Sequence, residues 1–206
     1  MDKKDYLDKL TAETRPQKPA GKPSKILSSK IFMVCFIGLI LLIMIIIIGA
    51  ILGSNKSDKK TVAYTLALHL NSTGEVIHDY QPKVKSSILR STSASLSSVL
   101  SDTYGKLNGY LTEKYKVGAE KADKKLIDAA ALNKDALEAD LFEAKITGVL
   151  DKTYANKMVY EISLIKAEEE QLITKSDEDK LKEILTTSYN SLNKLYDEFN
   201  NFSGSS

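Results

Sequence analysis

The segment IFMVCFIGLILLIMIIIIGAIL, residues Ile31–Leu52, decides the architecture of this chain. It is 22 residues long and carries no charge. As an α-helix rising about 1.5 Å per residue it extends about 33 Å, enough to cross a hydrocarbon core of about 30 Å. A helix that is apolar on every side must be buried in lipid or inside a large protein, and a chain of 206 residues is too small to enclose it. The sequence therefore predicts a transmembrane helix over residues 31–52.

A cleaved secretory signal peptide is the alternative interpretation of this segment. The apolar core of a signal peptide usually has about 7–15 residues and precedes small residues at the cleavage site. Here the run is longer, and cleavage after Gly53 would place Ile51 three positions before the cut. Cys35 lies near the start of the run, whereas a lipidated cysteine follows it, so we interpret Cys35 as an ordinary apolar residue. The pattern favours an uncleaved signal anchor.

The flanks of this segment predict its orientation. Residues 1–30 hold eight Lys and Arg but only four acidic residues, and three prolines interrupt them, which predicts a disordered basic tail. Basic residues near a membrane helix favour the cytoplasmic side. Of the basic residues close to the apolar segment, five precede it and three follow it. Those that precede it are Arg15, Lys18, Lys22, Lys25 and Lys30, and those that follow it are Lys56, Lys59 and Lys60. We therefore expect residues 1–30 in the cytoplasm and residues 53–206 outside it, with the protein in the cell membrane.

Gly49 and Gly53 form a pair of small residues four positions apart at the C-terminal end of the apolar segment. Such pairs allow two membrane helices to approach closely. The pair predicts packing between membrane helices and thus a homo-oligomer, and Gly53 alternatively marks the end of the helix.

Composition excludes several other classes of protein. One cysteine cannot form an internal disulfide, and one cysteine with two histidines cannot assemble a Cys/His zinc site within one chain. A net charge of +2 gives little basis for nucleic-acid binding, which depends on excess positive charge. We expect no cofactor.

Residues 53–206 show the spacing of long helices. Apolar residues recur at intervals near 3.6 from Val84 to Tyr115, from Leu137 to Leu172, and from Leu181 to Phe199. Thr61–Leu70 fits either a weak strand or a helix, and we prefer a helix that ends near Asn71–Gly74. The fold class is therefore all-α: an N-terminal transmembrane helix followed by an antiparallel bundle of about four long helices.

Individual residues predict the ends of these helices. Pro82 suits the first turn of a helix, and Gly118 suits a helix end. A short charged helix is expected over Glu120–Ala130. Asn133 is then expected to cap a helix of almost 40 residues, loosened at Gly148. Finally, Ser176 precedes three acidic residues and is expected to cap the last helix.

Few residues suggest chemistry. Glu75 and His78 form a Glu-x-x-His motif, two of which occur in di-iron bundles, but Leu66 stands three positions before the other histidine, His69. The run Glu168-Glu169-Glu170 is typical of a solvated helix face. No nucleophile elbow or phosphate-binding loop is present in the sequence. We predict no enzymatic activity and assign no catalytic or metal-binding residue.

Tyrosine is abundant after the apolar segment. Tyrosine is favoured at protein interfaces because it is rigid and amphipathic. The alternative is that these residues line the edge of the core with their hydroxyl groups in solvent. The residues are Tyr64, Tyr80, Tyr104, Tyr110, Tyr115, Tyr154, Tyr160, Tyr189 and Tyr196.

The stretch LDKTYANKMV, residues 150–159, resembles a ferritin-like helical domain of unknown function found in bacterial envelope proteins. Members show an aromatic residue or Leu, then Asp, a basic residue, a small residue and Tyr at the start of a long helix. They often carry a histidine shortly after that Tyr, where this chain has Tyr160, Glu161 and Ile162. The resemblance implies a bacterial envelope bundle.

The function predicted from these features is binding or scaffolding at the cell envelope. The expected partners are the lipid bilayer, an envelope or cell-surface protein, or a second copy. Two alternatives stay open: a ferritin-like metal or redox domain, and a sensor input domain that works through a partner.

Overall fold

The computed structural model describes residues 59–204, which form five α-helices and no strand in that part of the chain. The helices are α1 (Lys59–Tyr80), α2 (Ser87–Tyr115), α3 (Lys124–Ile146), α4 (Leu150–Lys175) and α5 (Asp179–Gly204). Short 3₁₀ turns, Gln81–Lys83 and Ala119–Lys121, lie on either side of α2. The predicted all-α bundle is confirmed.

Four of the helices form a ring in which each neighbour is antiparallel. The end of α2 and the start of α5 meet where the Tyr110 hydroxyl donates to Glu178, at 2.7 Å. The other ends of these helices meet where the Thr92 hydroxyl donates to Glu198, at 2.9 Å. Helices α1 and α2 follow one another as a hairpin, as do α4 and α5, so the ring order is α1, α2, α5, α4.

Helix α1 closes the ring against α4. Lys59 at its start pairs with Asp177, just after α4, at 3.1 Å. At the other end Asp151, in the first turn of α4, accepts hydrogen bonds from the backbone N–H groups of Lys85 and Ser86, at 2.9 and 2.8 Å. One carboxylate thus ties the start of α4 to the start of α2.

Helix α3 lies outside the ring and runs parallel to α1. Lys134 Nζ lies 2.6 Å from Glu75, and the Tyr80 hydroxyl donates to the Glu138 carbonyl at 2.9 Å, so both helices advance in the same direction. Only three of its residues are fully buried: Leu137, Leu141 and Ala144. The predicted number of about four long helices therefore describes the ring, and α3 is an addition to it.

Three predicted helix boundaries on the N-terminal side are wrong. Helix α1 passes through Gly74 to Tyr80, because Val76, Ile77 and Tyr80 are buried and tertiary packing outweighs the poor helix propensity of glycine. Helix α2 ends before Gly118, at Tyr115, where Lys116 adopts a left-handed φ of 65°. Pro82 lies in the short 3₁₀ turn, and α2 begins five residues later.

The predictions around α3 are also wrong. Asn133 caps nothing and lies inside α3, which Asp123 caps through a hydrogen bond from Lys125 N. The helix of almost 40 residues is two helices, because Gly148 has a φ of +78°, which glycine adopts without steric cost. At the start of the last helix, by contrast, Ser176 accepts a hydrogen bond from Glu178 N at 3.1 Å, as expected of a capping side chain, and α5 begins at Asp179.

Most apolar residues picked out by their spacing lie in the core, including Leu96, Leu100, Leu107 and Leu111. Three do not. Ile88, Ile146 and Val149 are exposed, although their spacing predicted a buried stripe.

The predicted tail (residues 1–30), the predicted transmembrane helix (residues 31–52) and the pair Gly49 and Gly53 lie outside the described residues. Within residues 59–204, no helix is both long and apolar enough to span a membrane.

Candidate functional site

The most distinctive polar feature of the bundle is a histidine held between two glutamates. His69 lies in the middle of α1, and its side chain is 14 % exposed. Its Nε2 lies 2.8 Å from a carboxylate oxygen of Glu161, and its Nδ1 lies 3.2 Å from one of Glu168. Both glutamates belong to α4 and are seven residues apart, two turns, which places them on the same face. Because both ring nitrogens face carboxylates, both are donors, and the ring is the imidazolium cation.

The pKa of His69 reflects two opposing effects. Burial disfavours the charged ring and lowers the pKa, but the negative charges and hydrogen bonds of Glu168 and Glu161 outweigh it and raise the pKa to about 10. His69 therefore stays charged through the physiological pH range, and it joins α1 to α4 by a buried ionic contact.

Glu169 is a second buried ionisable group beside this cluster. Its side chain is fully buried, and within the described residues neither carboxylate oxygen has a hydrogen-bond partner. Burial raises its pKa to about 8, and the Glu168 charge acts in the same direction, while Ser188 and Lys166 act against it. At neutral pH the Glu169 carboxyl is therefore mostly protonated and uncharged.

The interpretation of residues 168–170 as a solvated acidic face is thus wrong for two of the three residues. Only Glu170 is exposed. The sequence contained a usable signal, because Ile162, Ile165, Glu169 and Leu172 share one helical face and the other three are core residues. The partnership of His69 with Glu161 and Glu168 joins positions 92 and 99 residues apart and had no local signal.

The Glu-x-x-His motif does not form a site with His69. Glu75 accepts a hydrogen bond from Asn71 at 2.8 Å and pairs with Lys134, and His78 is exposed. Among residues 59–204, no group of three or more His, Cys, Asp or Glu side chains is placed to hold a metal ion. Glu75, His78 and Lys134 border an open groove of about 340 Å³ between α1, α2 and α3. In this groove the charges of Glu75 and Lys134 pair with each other.

Three tyrosines lie at the edge of the core, but their hydroxyl groups bond protein rather than solvent. Tyr64 donates to the Val117 carbonyl, Tyr80 to the Glu138 carbonyl and Tyr110 to the Glu178 carboxylate, at 2.7–2.9 Å. Tyr154 is fully buried beside Phe199, and burial raises its pKa to about 12. The hydroxyl groups of Tyr64, Tyr80 and Tyr110 thus bond protein groups within the bundle, and a role of the tyrosines at an interface stays a prediction.

The buried polar groups satisfy one another or are neutral. The three charges of His69, Glu161 and Glu168 are paired with one another within the bundle. This arrangement holds α1 against α4 by a buried ionic contact.

Comparisons of this chain with protein-family models, with curated proteins and with solved structures gave no significant match.

Proposed function

We propose that this protein is a single-pass membrane protein of the cell envelope that acts by binding another protein through its helical bundle. The observation that carries the proposal is the uncharged segment Ile31–Leu52, which has the length of a membrane-spanning helix. The bundle begins at Lys59, only seven residues after that segment. The excess of basic residues before the segment supports a cytoplasmic N-terminus and an extracytoplasmic bundle.

Two features support binding rather than catalysis. The buried charges of His69, Glu161 and Glu168 are paired with each other, so they act as structural contacts between helices. In contrast, large apolar side chains lie on the outside of the bundle: Ile88, Leu132, Phe142, Ile146 and Val149. Three of them, Leu132, Phe142 and Ile146, lie on the outer side of α3, and contiguous exposed apolar patches are a common feature of interaction surfaces.

A sensor input domain is the second candidate, and the buried ionisable groups favour it. His69 and Glu168 link α1 to α4, and α1 is the helix that follows the apolar segment in the sequence. Glu169 lies beside this contact, and burial raises its pKa to about 8, so its ionisation near neutral pH is a physical basis for a response to pH.

Membrane extraction tests the anchor. The full chain is expected to stay in the membrane pellet after an alkaline carbonate wash. A Leu41→Asp/Leu42→Asp variant places two charges at the middle of the segment, each costing about 2.5–3.5 kcal/mol in a membrane helix, and it is expected to leave the membrane fraction. Ile88→Asp, which changes an exposed residue of α2, is the matched control and should behave like the unmodified chain. Release of the unmodified chain by the wash would contradict the anchor.

A further inference from the structure

Helix α3 is apolar on two opposite faces. One face contains Leu137, Leu141 and Ala144, which are buried against the ring. The other carries Leu132 and Ile146, each 69 % exposed, and Phe142, 57 % exposed. A helix that packs on the outside of a bundle needs only one apolar stripe, so the core does not explain the second one.

The outer residues follow the heptad spacing of a coiled coil. Leu132, Ala139 and Ile146 are seven residues apart, and Phe142 lies three residues after Ala139. This is the a and d pattern, with Leu132 at the first a position and Asp135 as the one charged residue at a d position. We name Leu132, Ala139, Phe142 and Ile146 the outer seam.

We propose that the outer seam pairs two copies of this chain through their α3 helices in an antiparallel coiled coil. The inference rests on the proposed binding function and names the partner as a second copy. A helix of identical heptad spacing is the complement that such a seam fits, and the second copy supplies one.

The charges beside the outer seam select the antiparallel direction. In an antiparallel pair with Ala139 opposite Phe142 of the second copy, the flanking g positions face each other. That register sets Glu138 across from Lys145 of the second copy, twice by symmetry. It also places Asp135 opposite an isoleucine, Ile146, rather than opposite another acid.

A parallel pair brings like charges together. In that direction Asp135 meets Asp135 at the centre of the seam, and Glu138 faces Glu143 of the second copy. Both contacts are repulsive, since like charges across an interface disfavour the arrangement. The sequence of α3 is thus compatible with one direction and opposes the other.

The protein mass of the full chain in detergent micelles, measured by light scattering, tests the pairing. The unmodified chain is expected to have the mass of two 22.8 kDa chains. Phe142→Asp/Ile146→Asp is expected to weaken pairing at least about tenfold, to the mass of one chain, with an unchanged circular dichroism spectrum. Ile88→Asp is the matched control: it alters an equally exposed isoleucine (68 %) outside the seam and should remain dimeric.

Charge reversal tests the direction. Lys145→Glu alone is expected to weaken the dimer, and Glu138→Lys/Lys145→Glu in the same chain is expected to restore it. If Glu138→Lys alone strengthens the dimer, the helices are parallel and the proposed register is wrong.

A monomeric unmodified chain at about 100 µM would overturn the pairing. A Phe142→Asp/Ile146→Asp variant that remains dimeric would also overturn the pairing through α3, and it would instead assign the contact to Gly49 and Gly53. All variants should stay in carbonate-washed membranes, so failure of the anchor is detected separately.

Discussion

Replacing Glu169 with glutamine is expected to stabilise the bundle at pH 9 by about 3–5 kcal/mol and to change its stability little near pH 5. Glutamine has the shape of the protonated carboxyl group and cannot ionise. The substitution therefore removes the cost of placing a negative charge in a fully buried position without creating a cavity.

The sign follows from proton binding. The pKa of Glu169 is about 8 in the folded bundle, compared with 4.5 for an unperturbed glutamate. Between these values the folded state holds a proton that the unfolded state has released, so stability falls as the pH rises from 4.5 to 8. Each pKa unit corresponds to about 1.4 kcal/mol, which makes the effect a large fraction of the stability of a typical domain.

Chemical denaturation of the glutamine variant and the unmodified chain from pH 5 to pH 9 measures this difference. Glu170→Gln is the matched control, since Glu170 is the adjacent exposed glutamate, and its curve should follow the unmodified chain. Equal pH dependence in the Glu169 variant and the unmodified chain would show that the Glu169 carboxyl is not buried and neutral.

Replacing His69 with glutamine is expected to destabilise the bundle by about 3–5 kcal/mol at pH 6. The loss of the imidazolium leaves Glu161 and Glu168, whose side chains are 12 % and 26 % exposed, without their positive partner. A buried charge that has lost its counter-charge is costly, because it can neither be hydrated nor paired.

The pH dependence of this contribution also has a defined sign. The pKa of His69 is raised from 6.5 to about 10 on folding, so its stabilisation is fully present below pH 6.5 and is lost as the pH rises toward 10. His69 and Glu169 thus act in the same direction, and the unmodified bundle should lose stability from pH 6 to pH 10.

A rescue experiment separates the ionic contact from a simple packing defect. His69→Gln/Glu161→Gln/Glu168→Gln removes all three charges and should recover a large part of the stability lost by His69→Gln. His78→Gln, at the exposed histidine of the same helix, should change stability by no more than about 0.5 kcal/mol. If the triple variant is no more stable than the single one, the two glutamates do not act through His69.

The sequence predicted the helical class of the bundle because its core residues repeat at helical spacing. Leu96, Leu100, Leu107 and Leu111 are all buried as that spacing required. It failed at helix boundaries, where local propensity competes with packing. Gly74 ends no helix because buried residues follow it, whereas Gly148 does break the chain through its positive φ.

Helix α3 was the hardest element to predict, for a physical reason. Its apolar residues occupy two opposite faces, with Leu141 inside and Phe142 outside, so the period of a single stripe is obscured. The buried cluster was missed because its ionic partners lie far apart in the sequence and no local signal connects them. Only the antiparallel packing of α1 on α4 brings His69 to Glu161 and Glu168.

Topology is the measurement that tests the central claim most directly. A Cys35→Ala/Ser205→Cys chain carries a single thiol near its C-terminus, and intact cells are treated with a membrane-impermeant thiol reagent. Labelling of intact cells is the predicted result, since it places the bundle outside the cytoplasm. Labelling only after lysis would contradict the predicted orientation and would place the binding function of the bundle on the cytoplasmic side.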